Sequence, residues 1–333
     1  MTADAEPART LDTAPSGHVL RPATVDDLAT CASIWRESLN DYLGRLGQPE
    51  IPDDLGPILR LYGHLQATDP ETFVVAERHA PGGAPSVDAF AVVVRRERLT
   101  FLSMLFVRPG VQARGLGRTL LRRVMPDRSA EGDAAGWRAT ATDSAQPISN
   151  GLYGSLGLVP RIPLLRLVGV PWRDGAFPGL PGGMEAIAFD EVGDGADGLG
   201  RSALAAELAA LDRDAAGFDR SVDHSYHLRE GRIGFLFRDR SGGAVGYGYS
   251  SEAGRVGPIA VRDADLLAPI VGHLVHEIRP RGAFGIWIPG SAAPAIVALL
   301  RSGFRVDGFP VLLCWDRPFA DFSRYVPMSP GLL

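Results

Sequence analysis

Two hydrophobic periodicities run along the first half of the chain and predict strands and helices in a definite order. Alternating or continuous apolar runs predict strands at residues 18–21, 72–78, 89–96, 99–107, 137–142 and 163–168. Apolar residues at helical spacing predict helices after an N-cap at Thr24 and over residues 54–67, 117–124 and 148–156. The order β-α-α-β-β-β-α-β-α-β indicates the α/β class in its α+β form, with a mixed central sheet flanked by helices.

A similar order appears again after a segment rich in proline and glycine, residues 171–183. Strands are expected at residues 184–189, 233–238, 244–250, 255–261, 284–288 and 309–315. Helices are expected at residues 202–216, 266–277 and 293–302. The chain is therefore predicted to hold two domains of one architecture, residues 18–170 and 184–318, joined by the linker at 171–183. Residues 1–17 are expected to form a disordered tail, and residues 319–333 a tail without regular elements.

Composition narrows the class of protein. The 333 residues are 45% hydrophobic, and no apolar run reaches the length of a transmembrane helix, so a soluble globular protein without a membrane partner is expected. The N-terminus lacks the apolar core of a signal peptide, which favours a cytoplasmic location. A net charge of −5 argues against nucleic acid as a partner. The two cysteines, Cys31 and Cys314, form no metal-binding pattern, and no metal is expected.

A glycine turn between a predicted strand and a predicted helix is the clearest candidate for chemistry. The segment QARGLG, residues 112–117, matches an [R/Q]xxGxG pattern; it lacks the lysine of a P-loop and the third glycine of a dinucleotide fingerprint. Successive backbone N–H groups at such a turn, followed by a helix N-terminus, suit a pyrophosphate. Residues 99–126 also carry five arginines and no acid. A glycine-rich turn that binds no ligand remains the alternative.

The residues around this turn resemble a known superfamily. LFVRP, residues 105–109, followed by QARGLGRTLL resembles the acetyl-CoA-binding segment of the GNAT N-acetyltransferases. HVLRPATVDDL, from residue 18, resembles the first strand and helix of that superfamily, and YGSLGLVPR, from Tyr153, its closing segment. The resemblance covers about residues 18–170.

The resemblance implies acetyl-CoA as the cosubstrate and an acyl-transfer reaction. Strand residues would hold the pantetheine arm, the turn would hold the pyrophosphate through its amides, and Tyr153 would protonate the departing thiolate as a general acid. Gln146 stands where members of the superfamily often have asparagine. The implied cofactor residues are Leu105, Phe106, Val107, Gln112, Ala113, Arg114, Gly115, Leu116, Gly117, Arg118, Thr119, Gln146 and Tyr153.

The general base is harder to identify, because the strand at residues 99–107 carries Ser103 and no carboxylate. Ser103 would orient a water molecule. Glu37 and Asp41 on the first helical segment, and Asp143 after a later strand, are the carboxylate candidates, although each is also explained as a solvated surface charge. Glu37 is the preferred carboxylate.

Three further hypotheses concern the base and the histidines. His224 and His227 are another option for the base and share a face if their segment is helical, but two histidines are too few to predict a metal site. His273 and His276 repeat the spacing and are expected to be structural. By resemblance to N-myristoyltransferases, which use a terminal carboxylate as the base, the carboxylate of Leu333 is a further candidate.

The second half resembles a degenerate GNAT-like domain. RDADLLAP follows its counterpart strand, so two acids replace the glycines and would repel phosphates. The resulting hypothesis is a tandem GNAT acyltransferase that acetylates a primary amine, preferably of a small molecule, with a homodimer left open. A non-catalytic acyl-CoA sensor or interaction module is the alternative.

Overall fold

The computed structural model describes residues 12–13, 17–125, 136–172, 176–192 and 199–333. It contains two compact units. The first consists of the described parts of residues 1–94 and 102–132, and the second of residues 95–101 and the described parts of 133–333. Within the described ranges, no helix has both the length and the hydropathy needed to cross a bilayer.

The first unit is built on an antiparallel sheet with the order β1-β2-β3-β4-β5. Its strands are β1 (Asp12–Thr13), β2 (His18–Pro22), β3 (Phe73–Arg78), and all of β4 (Ser86–Arg96) and β5 (Leu99–Val107) except their adjoining ends at residues 95–101. Its helices are α1 (Leu28–Arg45), α2 (Gly56–Thr68) and α3 (Leu116–Val124). Most side chains of β3 and β4 are buried, which is why both strands have continuous apolar runs instead of alternation.

A cluster of aromatic side chains packs against the end of β5. Tyr62 of α2 lies edge-on to Phe73 and Phe90, with ring centroids 5.8 and 5.5 Å away. Phe90 in turn stacks on Phe106, at 5.7 Å, near the end of β5. Because buried rings allow little movement, this packing holds the end of β5 in place ahead of the glycine turn.

The second unit contains two sheets. Its strands are β6 (Trp137–Asp143), β7 (Val159–Gly169), β8 (Glu185–Ala188), β9 (Ile233–Arg238), β10 (Ala244–Ser250), β11 (Arg255–Val256), β12 (Ile259–Val261), β13 (Phe284–Pro289), β14 (Arg305–Val306), β15 (Val311–Trp315) and β16 (Tyr325–Val326). Its helices are α4 (Pro147–Gly154), α5 (Leu199–Ala215), α6 (Ser221–Arg229), α7 (Leu267–Glu277) and α8 (Ala293–Arg301).

The two predicted halves exchange strands within this unit. One sheet has the order β6-β15-β7-β13-β11, with β14 also on β7, and the other has the order β16-β12-β10-β9-β8. Strand β15 from the second half lies between two strands of the first, so that Leu312 is opposite both Thr142 and Pro163. Strands on both sides of residues 171–183 therefore share one sheet, while the predicted domain boundaries stay predictions.

The prediction of one strand over residues 255–261 was wrong. The chain bends at Gly257, which has a φ of +105°, and at the cis peptide to Pro258. Before the bend, β11 pairs in parallel with β13; after it, β12 pairs with β10 in the other sheet. Apolar residues lie on both sides of the bend, and the turn signal of the dipeptide Gly257-Pro258 between them was not used.

Two further elements were not predicted. A helix at α6 was named only as the condition for His224 and His227 to share a face. Its buried side chains are Asp223, His224, Tyr226 and His227, so the sequence has no apolar stripe that would indicate a helix. The tail at residues 319–333 contains β16, which pairs with β12. The prediction of a disordered tail at residues 1–17 was wrong for Asp12–Thr13, which form β1 and pair with β2. Most of the rest of that tail lies outside the described residues, as do residues 173–175 of the predicted linker.

Candidate active site

The end of β5 is tied to the turn that follows it. The carbonyl of Val107 accepts hydrogen bonds from Ser38 Oγ of α1 at 3.0 Å and from Gln112 Nε2 at 2.9 Å. These bonds occupy both lone pairs of that carbonyl and fix the start of the turn. The side chain of Gln112, a residue predicted to bind the cofactor, therefore also stabilises the turn by a hydrogen bond to the main chain.

The turn has the conformation of an anion-binding loop. Ala113 has a φ of +63° and Gly115 a φ of +79°, both in the left-handed region. Helix α3 begins directly afterwards, and the Thr119 amide donates to the Gly115 carbonyl at 3.1 Å. The amides of residues 116–118 lie in the first helical turn, where no preceding turn supplies acceptors. The left-handed residues Ala113 and Gly115 turn neighbouring N–H groups toward one concave side.

Gly117 is not required by packing. A Cβ at this position would meet Val107 Cγ2 at 3.6 Å, an ordinary van der Waals distance. Within a helix, glycine is about 1 kcal/mol less favourable than alanine. The fold therefore accommodates a side chain at residue 117, and the glycine costs stability without relieving any close contact.

Positive charge surrounds the turn. Arg114, Arg118 and Arg122 are exposed, while Leu116, Leu120, Leu121 and Val124 bury the opposite face of α3. Hydrophobic burial thus orients the helix, and its arginines remain on the solvent side. The helix N-terminus adds partial positive charge at the same place.

The candidate carboxylates of the first unit already have partners. Glu37 accepts from Ser33 Oγ at 2.9 Å through one oxygen and from Arg108 Nη1 at 2.6 Å through the other. Asp41 pairs with Arg45 one helical turn later, at 2.9 Å. Ser103, in the middle of β5, is buried. Glu37 is thus placed to anchor Arg108, the residue that follows β5.

The remaining predicted residues lie on α4 in the second unit. Gln146 is the N-cap, and its Oε1 accepts from the Ile148 amide at 3.3 Å. Tyr153 is buried on the same helix. Burial raises the pKa of Tyr153 above its usual value, and a hydrogen bond with Ser149 offsets part of that rise. The phenol therefore keeps its proton at neutral pH.

Asn150 is a residue that the sequence analysis missed. Its Nδ2 donates to the carbonyls of Asp143, at 3.0 Å, and Gln146, at 2.8 Å. The amide is thereby oriented so that Oδ1 is buried without a hydrogen-bond donor among the described residues. The i, i+4 spacing from Gln146 was the only available signal, and it does not distinguish this asparagine from any exposed one.

Solved structures resemble nearly the whole chain. A protein of Pyrococcus horikoshii assigned as an acetyltransferase superposes with a TM-score of 0.70 at 14% identity, covering 98% of this chain and all of that one. A GCN5-related N-acetyltransferase from Sphaerobacter thermophilus gives 0.58 at 18% identity, covering 94% of this chain and all of that one. A tandem GNAT protein from the clavulanic acid biosynthesis pathway gives 0.50 at 15% identity, covering 90% and 98%.

The chain has the tandem GNAT fold. No protein-family model and no curated protein sequence matches it. The predicted α/β class, with mixed sheets flanked by helices, is confirmed.

The second GNAT half differs from the first at the counterpart of the glycine turn. Its strand β12 leads to Asp263, whose Oδ1 accepts from the Asp265 amide at 3.0 Å at the start of a short 3₁₀ turn before α7. An acidic residue and a short 3₁₀ turn thus follow β12, whereas a glycine turn follows β5.

The gap beyond the bend at Gly257 is also filled. Strand β16 lies along β12 on the side away from β10, with Val326 opposite Ile259 and Tyr325 opposite Ala260. It also contacts β13. The main chain of residues 325–326 therefore occupies the space that opens where β12 diverges from β13.

The histidines of this GNAT half serve separate contacts. His224 bridges Asp212, at 3.0 Å, and the hydroxyl of Tyr249, at 2.7 Å. His276 Nδ1 lies 2.6 Å from the carbonyl of Gly272, and His273 lies 3.8 Å from Glu277. Across the described ranges, no three metal-ligating side chains converge on one point.

Proposed function

We propose that this chain is an N-acetyltransferase that transfers an acetyl group from acetyl-CoA to a primary amine, preferably of a small molecule. The observation that carries the proposal is the glycine turn. Gly117 lowers helix stability at a position with room for a side chain. A ligand that approaches the backbone closely explains this choice, because a Cβ would stand in its path.

In this proposal the pyrophosphate of acetyl-CoA lies on the amides from Gln112 to Arg118. The left-handed residues Ala113 and Gly115 supply the concave row of donors, and the exposed arginines of α3 supply long-range attraction. Thr119, whose hydroxyl now donates to the Gly115 carbonyl at 3.2 Å, would turn to a phosphate oxygen. Main-chain groups of Leu105, Phe106 and Val107 would hold the pantetheine arm, with the Val107 carbonyl already occupied.

The reaction would follow direct transfer. The amine nitrogen attacks the thioester carbonyl carbon, the tetrahedral intermediate collapses, the C–S bond breaks, and the amide forms. Tyr153 would give its proton to the departing thiolate, a role that suits a buried phenol that is neutral at physiological pH. The amine loses a proton to water, which Ser103 would orient. Glu37 would act mainly through Arg108, because donors engage both of its oxygens.

The second half would bind no acetyl-CoA. Two features support this: the Asp263 carboxylate at the counterpart of the phosphate turn, and β16 in the gap where the pantetheine arm would lie. One cosubstrate per chain is the expected stoichiometry.

The test is calorimetric titration of acetyl-CoA, followed by measurement of CoA thiol release with a panel of primary amines. We expect one site per chain and amine-dependent thiol release. Binding without release for any amine would favour the acyl-CoA sensor, a candidate that the occupied oxygens of Glu37 support. No binding by the folded protein would refute both.

A further inference from the structure

Arg232 is a buried cation without a carboxylate partner. It stands between α6 and β9 and is 7% exposed. Its Nη1 donates to the carbonyl of Gly257 at the bend between β11 and β12. Its Nε is buried and has no acceptor among the described residues. Nη1 of the guanidinium therefore fixes the bend, while Nε, on the opposite edge, has no acceptor among the described residues.

Neighbouring arginines increase the free-energy cost of burying the positive charge of Arg232. Arg255 and the fully buried Arg220 both disfavour its positive charge, whereas electrostatic attraction to Tyr226 and Glu230 favours it. His227 connects the two buried arginines: Arg220 Nη2 lies 3.2 Å from its Nε2, and its carbonyl accepts from the Arg232 amide at 3.2 Å. Burial and the neighbouring arginines lower the pKa of Arg232 to about 10.

Pinning the Gly257 carbonyl does not need a positive charge. A neutral amide side chain would donate the same hydrogen bond without the penalty of burying an ion, which is several kcal/mol when no opposite charge compensates it. The charge makes physical sense if an anion joins Arg232 when the protein is at work. That anion must come from outside the described chain, because no carboxylate in the described ranges forms an ion pair with this guanidinium.

The free edge defines the chemistry of the anion. The Nε–H and one Nη2 N–H of a guanidinium point in the same direction and are spaced like the two oxygens of a carboxylate. A chloride ion matches only one of these donors well. We propose that Arg232 forms a binding site for the carboxylate of a small-molecule ligand, at the junction of α6, β9 and the bend at Gly257. This site is independent of the proposed acetyl-transfer chemistry.

The test compares acetate with chloride at equal ionic strength, by thermal unfolding of the full chain. Acetate should raise the melting temperature in a saturable manner; at a free concentration of about ten times Kd, linkage raises the folding constant about 11-fold. Arg232→Lys keeps the positive charge but removes the two parallel N–H donors that would bind both oxygens of a carboxylate, so the acetate effect should disappear. Arg229→Lys, the same change at an exposed position on α6, should keep it.

A second measurement needs no variant. In wild-type protein, the buried Nε–H of Arg232 should give an arginine side-chain resonance that shifts with acetate and not with chloride, and the shift should yield the same Kd. Equal effects of the two salts, an acetate effect that survives in Arg232→Lys, or an Nε–H resonance that does not respond would each overturn the proposal. If Arg232→Lys does not fold, the wild-type titration decides alone.

Discussion

Gly117 offers the sharpest test of the glycine turn, because its two simplest substitutions separate folding from binding. Alanine places a Cβ 3.6 Å from Val107 Cγ2, without a clash. Replacing glycine with alanine stabilises a helix interior by about 0.8–1 kcal/mol, which is the upper limit at Gly117, the second residue of α3. We therefore expect Gly117→Ala to unfold at the same temperature as wild type or a higher one. Its affinity for acetyl-CoA should nevertheless fall, since the methyl group would stand between the backbone and the pyrophosphate.

Glutamate at the same position adds charge to the obstruction. A carboxylate about 5 Å from one phosphate charge repels it by about 3 kcal/mol at an effective dielectric constant of about 20, which corresponds to a roughly hundredfold larger Kd. Gly63→Glu makes the matched control: it adds the same charge to α2 at a glycine with open space around its Cβ position.

Calorimetric titration of acetyl-CoA into the four proteins, at one ionic strength, measures the effect. The expected order of affinity is wild type and Gly63→Glu together, then Gly117→Ala, then Gly117→Glu. Wild-type affinity in Gly117→Glu would refute the placement of the pyrophosphate at this turn. A markedly lower melting temperature in Gly117→Ala would refute the argument that the fold has room there.

Three further outcomes are expected. Tyr153→Phe should lower the rate of CoA release by about 10²-fold or more with little change in acetyl-CoA affinity, because only the acid is lost; an equal loss of affinity would indicate a packing role. Burial by itself raises the pKa of Asp88, but hydrogen bonds from a guanidinium and an imidazole outweigh burial and lower it. Its contribution to stability is therefore complete above the unfolded-state value of about 3.9 and is lost as pH falls further; urea unfolding at decreasing pH should show this loss, and Asp88→Asn should weaken the pH dependence. Gly254→Ala should destabilise the protein by about 2–4 kcal/mol, because its φ of +77° is strained and its Cβ would lie 2.2 Å from the Ala283 carbonyl oxygen; Gly242→Ala, strained but uncrowded, should cost clearly less in the same assay.

Much of the fold was predictable from local pattern. The strand at residues 99–107 and the helix that follows it were placed within a residue, because apolar spacing and glycine punctuation are encoded in neighbouring positions. Helix α6 was not recognised as an apolar helix, since its buried face is made of Asp223, His224, Tyr226 and His227. Polar residues are buried only where distant partners satisfy them, and those partners are invisible to a local pattern.

The residues of the candidate site also fall into two groups, those that the local sequence indicates and those that only the folded chain brings together. The glycine turn could be read from the sequence, because left-handed backbone and close approach both favour glycine. The pairing of Glu37 with Arg108, 71 residues apart, could not be read from the sequence, because it depends on α1 meeting the end of β5 in the folded chain. The orientation of Asn150 was likewise set by two carbonyls that only the folded chain brings together.

The sequence by itself determined most of the order of elements, the glycine turn at residues 112–117 and the absence of such a turn after the counterpart strand in the second half. Tertiary structure alone decided that β15 lies between β6 and β7, that β16 fills the gap beside β12, and that Arg232 is buried without a carboxylate. The reason is physical. Periodicity and turn chemistry act over a few residues, whereas strand neighbours and buried charges depend on which distant segments meet, a choice made by the free energy of the whole fold.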